Sequence, residues 1–291
     1  MVLRLPPDEG AWTVMDALSV APSLADLTSQ DLTERAAAGE IVDADGRPVD
    51  LDAPVLRPVP VFLYRDPPEE FPVPFDMPIL HLDDDLAVVD KPHFLATMPR
   101  GAHVAETALV RLRRELGSDE VAPAHRLDRL TAGVLLFTRR REVRAAYQEL
   151  FAQRRVHKEY RALARADDAL VERVRIENRI VKTAGDLRAR VVPGEVNAVS
   201  DIELAVRHGE GLAEYRLLPS TGRTHQLRMH MAGLGTPIIG DPLYPEVDHD
   251  LAAAPDRGDF SRPLALVAHR LSFTDPLSGR ERTFESPRSV R

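Results

Sequence analysis

Asp128 is the residue of this chain whose neighbours point most directly to chemistry. It stands between Arg126 and Arg129 in the run His125-Arg126-Leu127-Asp128-Arg129-Leu130-Thr131-Ala132-Gly133, which leads straight into Val134-Leu135-Leu136-Phe137. Adjacent guanidinium charge keeps a carboxylate ionised. A Thr-x-Gly turn entering an apolar strand would fix it at the edge of a rigid sheet, where a reacting group can be held tightly. A fixed, ionised carboxylate can act as a nucleophile or as a general base. A structural role is equally open at this point: Asp128 could cap the turn and pair with Arg129.

Other chemistries are poorly supported. The chain has no cysteine, which excludes disulfides, thiol nucleophiles and thiolate metal sites. Asp83-Asp84-Asp85 reads better as a solvated turn than as a metal site. His225 and His230 are five residues apart and do not share one helical face, and there is no His-Glu-x-x-His. Gly209-Glu210-Gly211 lacks the further glycines of a nucleotide loop, and no serine sits in a nucleophile elbow.

The elements that must hold Asp128 follow from pattern. A chain of 291 residues is long enough for one large domain and one small one. Residues 79–91 read as strand, acidic turn, strand; residues 105–117 and 141–153 as helices; residues 133–138 as a buried strand. Residues 158–164 and 214–218 alternate, as antiparallel strands do. Helices interspersed with hairpin-like strands, without a regular βαβ repeat, predict an α+β fold with a mixed, largely antiparallel central sheet. Residues 248–262 read as an irregular surface loop. Ahead of this domain, residues 1–65 form a separate small α+β module, with a helix over 23–39, an Asp45-Gly46 turn and a strand over 59–64. Residues 66–78 are a proline-rich linker, and residues 79–291 the catalytic domain. The N-terminus lacks the features of a signal peptide, and no stretch reaches the ~20 apolar residues of a membrane span, so a cytoplasmic protein is expected.

Charge is unevenly distributed. The net charge is −8, yet residues 100–165 hold 15 Lys+Arg against 8 Asp+Glu, while residues 1–99 hold 6 against 19. Phosphate binding needs a local basic surface rather than a high overall pI. Arg139, Arg140, Arg141, Arg144, Arg154, Arg155 and Lys158 are candidates for a phosphate track within that island.

The segment around Asp128 resembles the signature of the RluA family of RNA pseudouridine synthases, His-Arg-Leu-Asp-x-x-Thr-Ser-Gly followed by an apolar strand. Four more stretches agree in order: Leu86-Ala87-Val88-Val89-Asp90-Lys91-Pro92, His157-Lys158-Glu159-Tyr160-Arg161, Thr221-Gly222-Arg223-Thr224-His225-Gln226-Leu227-Arg228 continuing to Gly240-Asp241-Pro242-Leu243-Tyr244, and Val267-Ala268-His269-Arg270-Leu271. The resemblance covers about residues 79–286. It departs at Ala132, where the family has serine, and at His93-Phe94, where the family has small residues. The N-terminal module resembles an S4-like RNA-binding domain, notably over residues 38–49. Its 5 Lys+Arg against 11 Asp+Glu suggest a degenerate one.

The resemblance implies isomerisation of uridine to pseudouridine in structured RNA, ribosomal or transfer, by an essential aspartate with neither cofactor nor metal. It makes Asp128 the essential carboxylate, places the Arg223 guanidinium against it, and lays Tyr160 on the uracil above Leu227. Arg126 is expected to face the RNA and displace the base or hold its phosphate. His125 would support the Asp128 loop, and Arg228 would contact phosphate or pack structurally. A monomer is the default expectation. Two rivals remain: a catalytically silent RNA-binding protein of the same fold, and a hydrolase using a pair of carboxylates.

Overall fold

The apolar run after Asp128 folds as a strand buried on both faces, and the rest of the larger unit is arranged around it. In the computed structural model, which describes residues 2–3, 12–21, 24, 26–56, 58–63, 70–101, 103–183 and 185–290, the chain divides into two units, Met1–Pro67 and Pro68–Arg291.

In the first unit, β1 (Val2–Leu3) precedes two short helices, α1 (Val14–Ser19) and α2 (Ser29–Ala37). Each helix starts at a threonine with an aspartate three residues on. The Thr13 hydroxyl accepts the Asp16 N–H at 3.2 Å while the Asp16 carboxylate accepts the Thr13 N–H at 2.9 Å, and Thr28 and Asp31 repeat the device. These caps explain why the second helix begins at Ser29. Residue 23, where the sequence pattern started it, lies outside the described residues, as does residue 64 at the end of the expected strand. Two strand pairs follow: β2 (Ile41–Val42) with β4 (Phe62–Leu63), and β1 with β3 (Val59–Pro60). Leu18, Leu24, Leu32, Ile41, Val55 and Val61 form a small core.

The second unit is built on a ten-stranded mixed sheet. Its early elements are β5 (Ile79–Leu82), β6 (Leu86–Lys91), α3 (Ala108–Leu116), β7 (Ala122–Pro123), β8 (Ala132–Thr138) and α4 (Arg141–Ala152). Strands β9 (His157–Arg165), β10 (Val174–Asn178), β11 (Ile180–Val181), β12 (Arg190–Val191), β13 (Ala198–Arg207) and β14 (Leu212–Pro219) follow. The chain ends with α5 (Gln226–Gly233), α6 (His249–Ala253), β15 (Leu266–Thr274) and β16 (Glu281–Glu285). The strand order is β10-β13-β14-β9-β15-β8-β6-β5, with β7 on β8 and β16 on β15; only the β8–β15 pairing is parallel. The α+β reading with a largely antiparallel sheet therefore holds.

Strand β8 shows why its sequence is apolar without alternation. Leu135 and Phe137 face α3, whose Leu109 and Leu112 pack on them, while Val134 and Leu136 face α4 and its Val143, Tyr147 and Leu150. Residues 70–78, expected to be a linker, are tied to this unit over their described length. The Glu70 carboxylate accepts the N–H groups of Val104, Ala105 and Glu106, and Val73 is buried. Residues 248–262 are not the irregular loop expected. They contain α6 and the 3₁₀ turn Ala254–Arg257, and they dock through Phe260, whose ring lies 5.3 Å from that of Phe94, and through Asp256, 2.8 Å from Arg129. Five residues of helix carry too little periodicity to be read from sequence.

The parallel β8–β15 contact is unusually close. Gly133 has φ +111°, and a Cβ built there would lie 2.2 Å from the Ala268 carbonyl oxygen. Only glycine lets the two backbones approach so far. Gly133→Ala is expected to destabilise the protein by about 3 kcal/mol or more, through overpacking against backbone and a conformation that L side chains avoid. The shift of the urea midpoint against wild type measures this.

Candidate active site

The Asp128 loop runs between β7 and β8, and each of its four consecutive carbonyl oxygens meets a donor. The Leu127 oxygen accepts the Thr97 hydroxyl at 2.8 Å and the Asp128 oxygen accepts the Thr131 N–H at 3.1 Å. The Arg129 oxygen accepts the Lys91 ammonium at 3.2 Å, and the Leu130 oxygen accepts Nδ1–H of His93 at 2.9 Å. Burial draws His93 down to about 4, so the ring is neutral and that nitrogen is its proton carrier. The neighbouring Phe94 carbonyl takes the Arg129 Nε–H at 3.1 Å. His93 and Phe94, which depart from the family pattern, are thus the residues that brace this loop. The brace leaves the Asp128 carboxylate itself without a hydrogen bond or ion pair among the described residues.

Positive charge nevertheless surrounds it. Lys91, fully buried at the end of β6, donates to the carbonyls of Pro92, Leu95 and Arg129. Burial pulls its pKa down to about 7, and the Asp128 charge is the strongest influence in the other direction. Arg228, in the first turn of α5, is 2 % exposed and forms a bidentate pair with Asp241, at 2.8 Å from Nε and 2.6 Å from Nη2. Burial opposes the Arg228 charge; Asp241, with a further contribution from Asp128, more than offsets it and raises the pKa. Asp241 is held in turn by the N–H groups of Leu243 and Tyr244. His225, left-handed at φ +59° just before α5, lies 3.0 Å through Nδ1 from the Tyr244 hydroxyl, and burial lowers it to about 4 against the pull of Asp128.

The expected pairing of Arg223 with Asp128 is not what the structure shows. Arg223 is exposed, in the turn ahead of α5, with Nε directed at the Asn197 carbonyl at 3.3 Å. The turn is fixed by Gln226, whose Oε1 accepts both the Arg223 N–H at 3.0 Å and the Thr221 hydroxyl at 2.7 Å, while its Nε2 donates to the Val199 carbonyl and the Ser200 hydroxyl. Because the helix starts at Gln226, Arg228 turns inward towards the acid and Arg223 stays at the rim. Lys91, Gln226 and Asp241 were visible as motif members and His93 as a departure from the motif, but spacing alone gave them no role.

A cleft of about 830 Å³ opens over Asp128, the only carboxylate among its described lining residues. Among the described residues the cleft therefore lacks the second acid that a carboxylate-pair hydrolase requires. Tyr160 lines it from β9. Its backbone is paired with Ala268, and Ala268 with Gly133, so one row across three strands sets the tyrosine's distance from the Asp128 loop. Burial first, and then the Asp128 charge, push the Tyr160 phenol above its ordinary value. Leu227 is buried and lines the same cleft. His125 accepts the Leu136 N–H on Nε2 at 3.2 Å and stacks on Phe151 with ring centres 4.4 Å apart, which makes it a neutral support beside the Asp128 loop.

Of the basic residues singled out, Arg126, Arg144, Arg154, Lys158 and Arg223 line the cleft. Burial, with help from Arg154, lowers Lys158 to about 8 while its ammonium donates to the Thr221 carbonyl. Arg139 and Arg140 face elsewhere: Arg139 donates to the Asp83 carbonyl and Arg140 binds the Asp85 carboxylate. The acidic turn is thus covered by arginines, which removes both from a track into the cleft. Arg141 and Arg155 are exposed and do not line the cleft. Among the described residues no cluster of His, Asp or Glu could hold a metal ion, and no helix is long and apolar enough to cross a membrane.

Comparison with known proteins agrees with this geometry. The family model described as RNA pseudouridylate synthase matches residues 85–233. The dual-specificity RNA pseudouridine synthase RluA of Haemophilus influenzae is 32% identical over 216 residues, spanning 72% of this chain and 91% of that protein. The ribosomal large subunit pseudouridine synthase D of Xanthomonas campestris is 38% identical over 221 residues, 71% of this chain and 65% of that protein. The solved structure of human RNA pseudouridylate synthase domain containing 1 superposes with a TM-score of 0.55 at 25% identity, covering 73% of this chain and 84% of that one. With a matched model that spans Asp128, Tyr160 and Arg228 and relatives aligned over most of their length, the chain belongs to the RNA pseudouridylate synthases.

Proposed function

We propose that this protein converts uridine to pseudouridine in large-subunit ribosomal RNA, with Asp128 as the catalytic carboxylate. The observation that carries the assignment is the state of that acid: the cleft's single carboxylate, free of direct bonds, in the field of Lys91 and Arg228. Isomerisation breaks the bond from uracil N1 to ribose C1′, turns the base, joins C5 to C1′, moves the C5 proton off and leaves a proton on N1. A uridine in folded RNA reaches the cleft only when flipped out of its stack. Tyr160 offers an aromatic face, worth ~1–3 kcal/mol per stacked base. Leu227 offers an apolar floor that keeps water from the detached base. Arg126, Arg154, Lys158 and Arg223 at the rim hold phosphate. Transfer RNA is the second substrate class, supported by the dual-specificity relative. The protein acts as a cytoplasmic monomer, and its first unit is an S4-like module whose acidic balance leaves it little phosphate contact.

Asp128→Asn is expected to lower tritium release from C5-labelled uridine in ribosomal RNA by about 10³-fold or more, with RNA affinity and urea midpoint near wild type. Activity near wild type would refute the assignment. The two arginines separate kinetically: Arg223→Ala should raise KM with kcat little changed, whereas Arg228→Lys should lower kcat, because a point charge cannot reproduce the bidentate hold on Asp241. Equal effects on kcat would restore Arg223 as the group paired with the acid.

Removing residues 1–67 is expected to weaken RNA binding by less than about threefold, in line with a surface short of cations. A larger loss, read by filter binding, assigns that module a gripping role.

The neutral histidines set an acid limit. His93, His225 and His230 are drawn by burial to about 4 and His125 to about 3, whereas an unfolded histidine titrates near 6.5. Between those values the unfolded chain binds more protons, so stability is full above about pH 6.5 and falls as pH drops towards about 4. Urea midpoints should fall across that window, and His93→Asn should flatten part of the slope.

A further inference from the structure

The cleft extends past Asp128 into an arm lined by residues of α3 and α4 that the target uridine does not explain. One face of α4 lines it: Arg144, Gln148, Phe151 and Ala152, at i, i+4, i+7 and i+8, while Val143, Tyr147 and Leu150 are buried on the other side. From α3 comes Arg113. Each arginine is tied to one of two successive carbonyls. Arg113 Nε donates to the Val121 carbonyl at 3.1 Å and Arg144 Nη2 to the carbonyl of the preceding Glu120 at 2.9 Å. Neither forms an ion pair among the described residues, and Arg144 Nε is a buried N–H with no hydrogen-bond partner. Guanidinium groups left without an anionic partner, one of them with an orphaned buried donor, cost free energy. A structure that keeps both in a cleft wall is built for an anion there. The Phe151 ring continues the wall from His125, on which it is stacked, so the arm pairs an aromatic surface with two free cations. That is the chemistry of a single-stranded nucleotide site.

We propose that this arm is a second nucleotide subsite, in which Phe151 meets the base next to the flipped uridine and Arg113 and Arg144 hold its phosphate. The assignment rests on the reading of the cleft as an RNA site and deepens it: the enzyme grips the strand beside its target as well as the target itself. Bracing of the 120–121 carbonyls alone would use only one N–H from each guanidinium.

The test is binding of labelled oligouridylates of increasing length, from uridine monophosphate upward, over a salt series. In wild type, affinity should rise as the second nucleotide is added. Arg113→Gln with Arg144→Gln keeps a donor for each carbonyl. It should weaken the longer oligomers about tenfold and reduce the salt slope by about 0.7 for each phosphate no longer neutralised, with monophosphate binding unchanged. Phe151→Leu should weaken the longer oligomers without changing the slope. Arg114→Gln, the same loss of charge as either single variant but on the exposed side of α3, should match wild type. The single arginine variants give the same readout should the double variant not fold. A wild-type length series and salt slope in the variants, or equal weakening of the monophosphate, would overturn the subsite. Failure of the functional reading shows separately, as wild-type protein that releases no tritium from labelled ribosomal RNA.

Discussion

The proposed role of Asp128 requires carboxylate oxygens that are not tied down, and the rest of this structure answers to that constraint. A direct salt bridge would occupy those oxygens. Here the cations stand off from Asp128 and are anchored to other acceptors: Lys91 to three carbonyls, Arg228 to Asp241. Each supplies field at Asp128 without forming an ion pair to it. Such preorganised charge needs no rearrangement when substrate arrives.

Anchoring the cations elsewhere makes the site depend on a chain of buried partners. Asp241 fixes Arg228, and two backbone N–H groups fix Asp241. Removing one member of such a pair strands a buried charge, typically at 3–5 kcal/mol. The Asp128 loop is equally dependent. Its four carbonyls are satisfied by side chains from the end of β6 and the segment after it, and by the turn itself, so Lys91 is at once a cation near the acid and a brace of its loop. Gly133 then sets how closely β15 lies on β8, and the same row of residues carries Tyr160. Acid, cation and aromatic ring are placed by a single stretch of sheet.

This explains which parts of the site were legible in sequence. The segment around Asp128 could be read because chemistry and turn requirements coincide there, an acid between arginines before Thr-x-Gly and an apolar strand. Strand β8 and helices α3 and α4 were legible because their apolar positions repeat over a whole element. Strand β13 and the docking of Phe260 and Asp256 were not, because they depend on contacts distant in sequence. The choice between Arg223 and Arg228 was hidden for a local reason. Both lie in one motif, and only the start of α5 at Gln226, after a left-handed His225, decides which turns inward. Lys91 was misleading in another way, since lysine is rarely fully buried. His93 looked like a departure from the family when it is a brace.

Net charge illustrates the same separation of local from global. A net charge of −8 does not bar RNA, because the cleft proposed for it carries its own balance, one carboxylate against the guanidinium groups of Arg113, Arg126, Arg144, Arg154, Arg223 and Arg228 among its described lining residues. Potentials in a concave site are set by the charges that line it, focused by low-dielectric walls. Acids elsewhere are largely spent on structure: Asp83 and Asp85 hold Arg282 and Arg140, and Glu159 and Glu203 hold Arg216. The arginines held by these acids lie outside the cleft, whereas Arg113, Arg126, Arg144, Arg154 and Arg223 line it without an ion pair among the described residues. That contrast, rather than the sum over the chain, gives the anionic substrate its direction of approach.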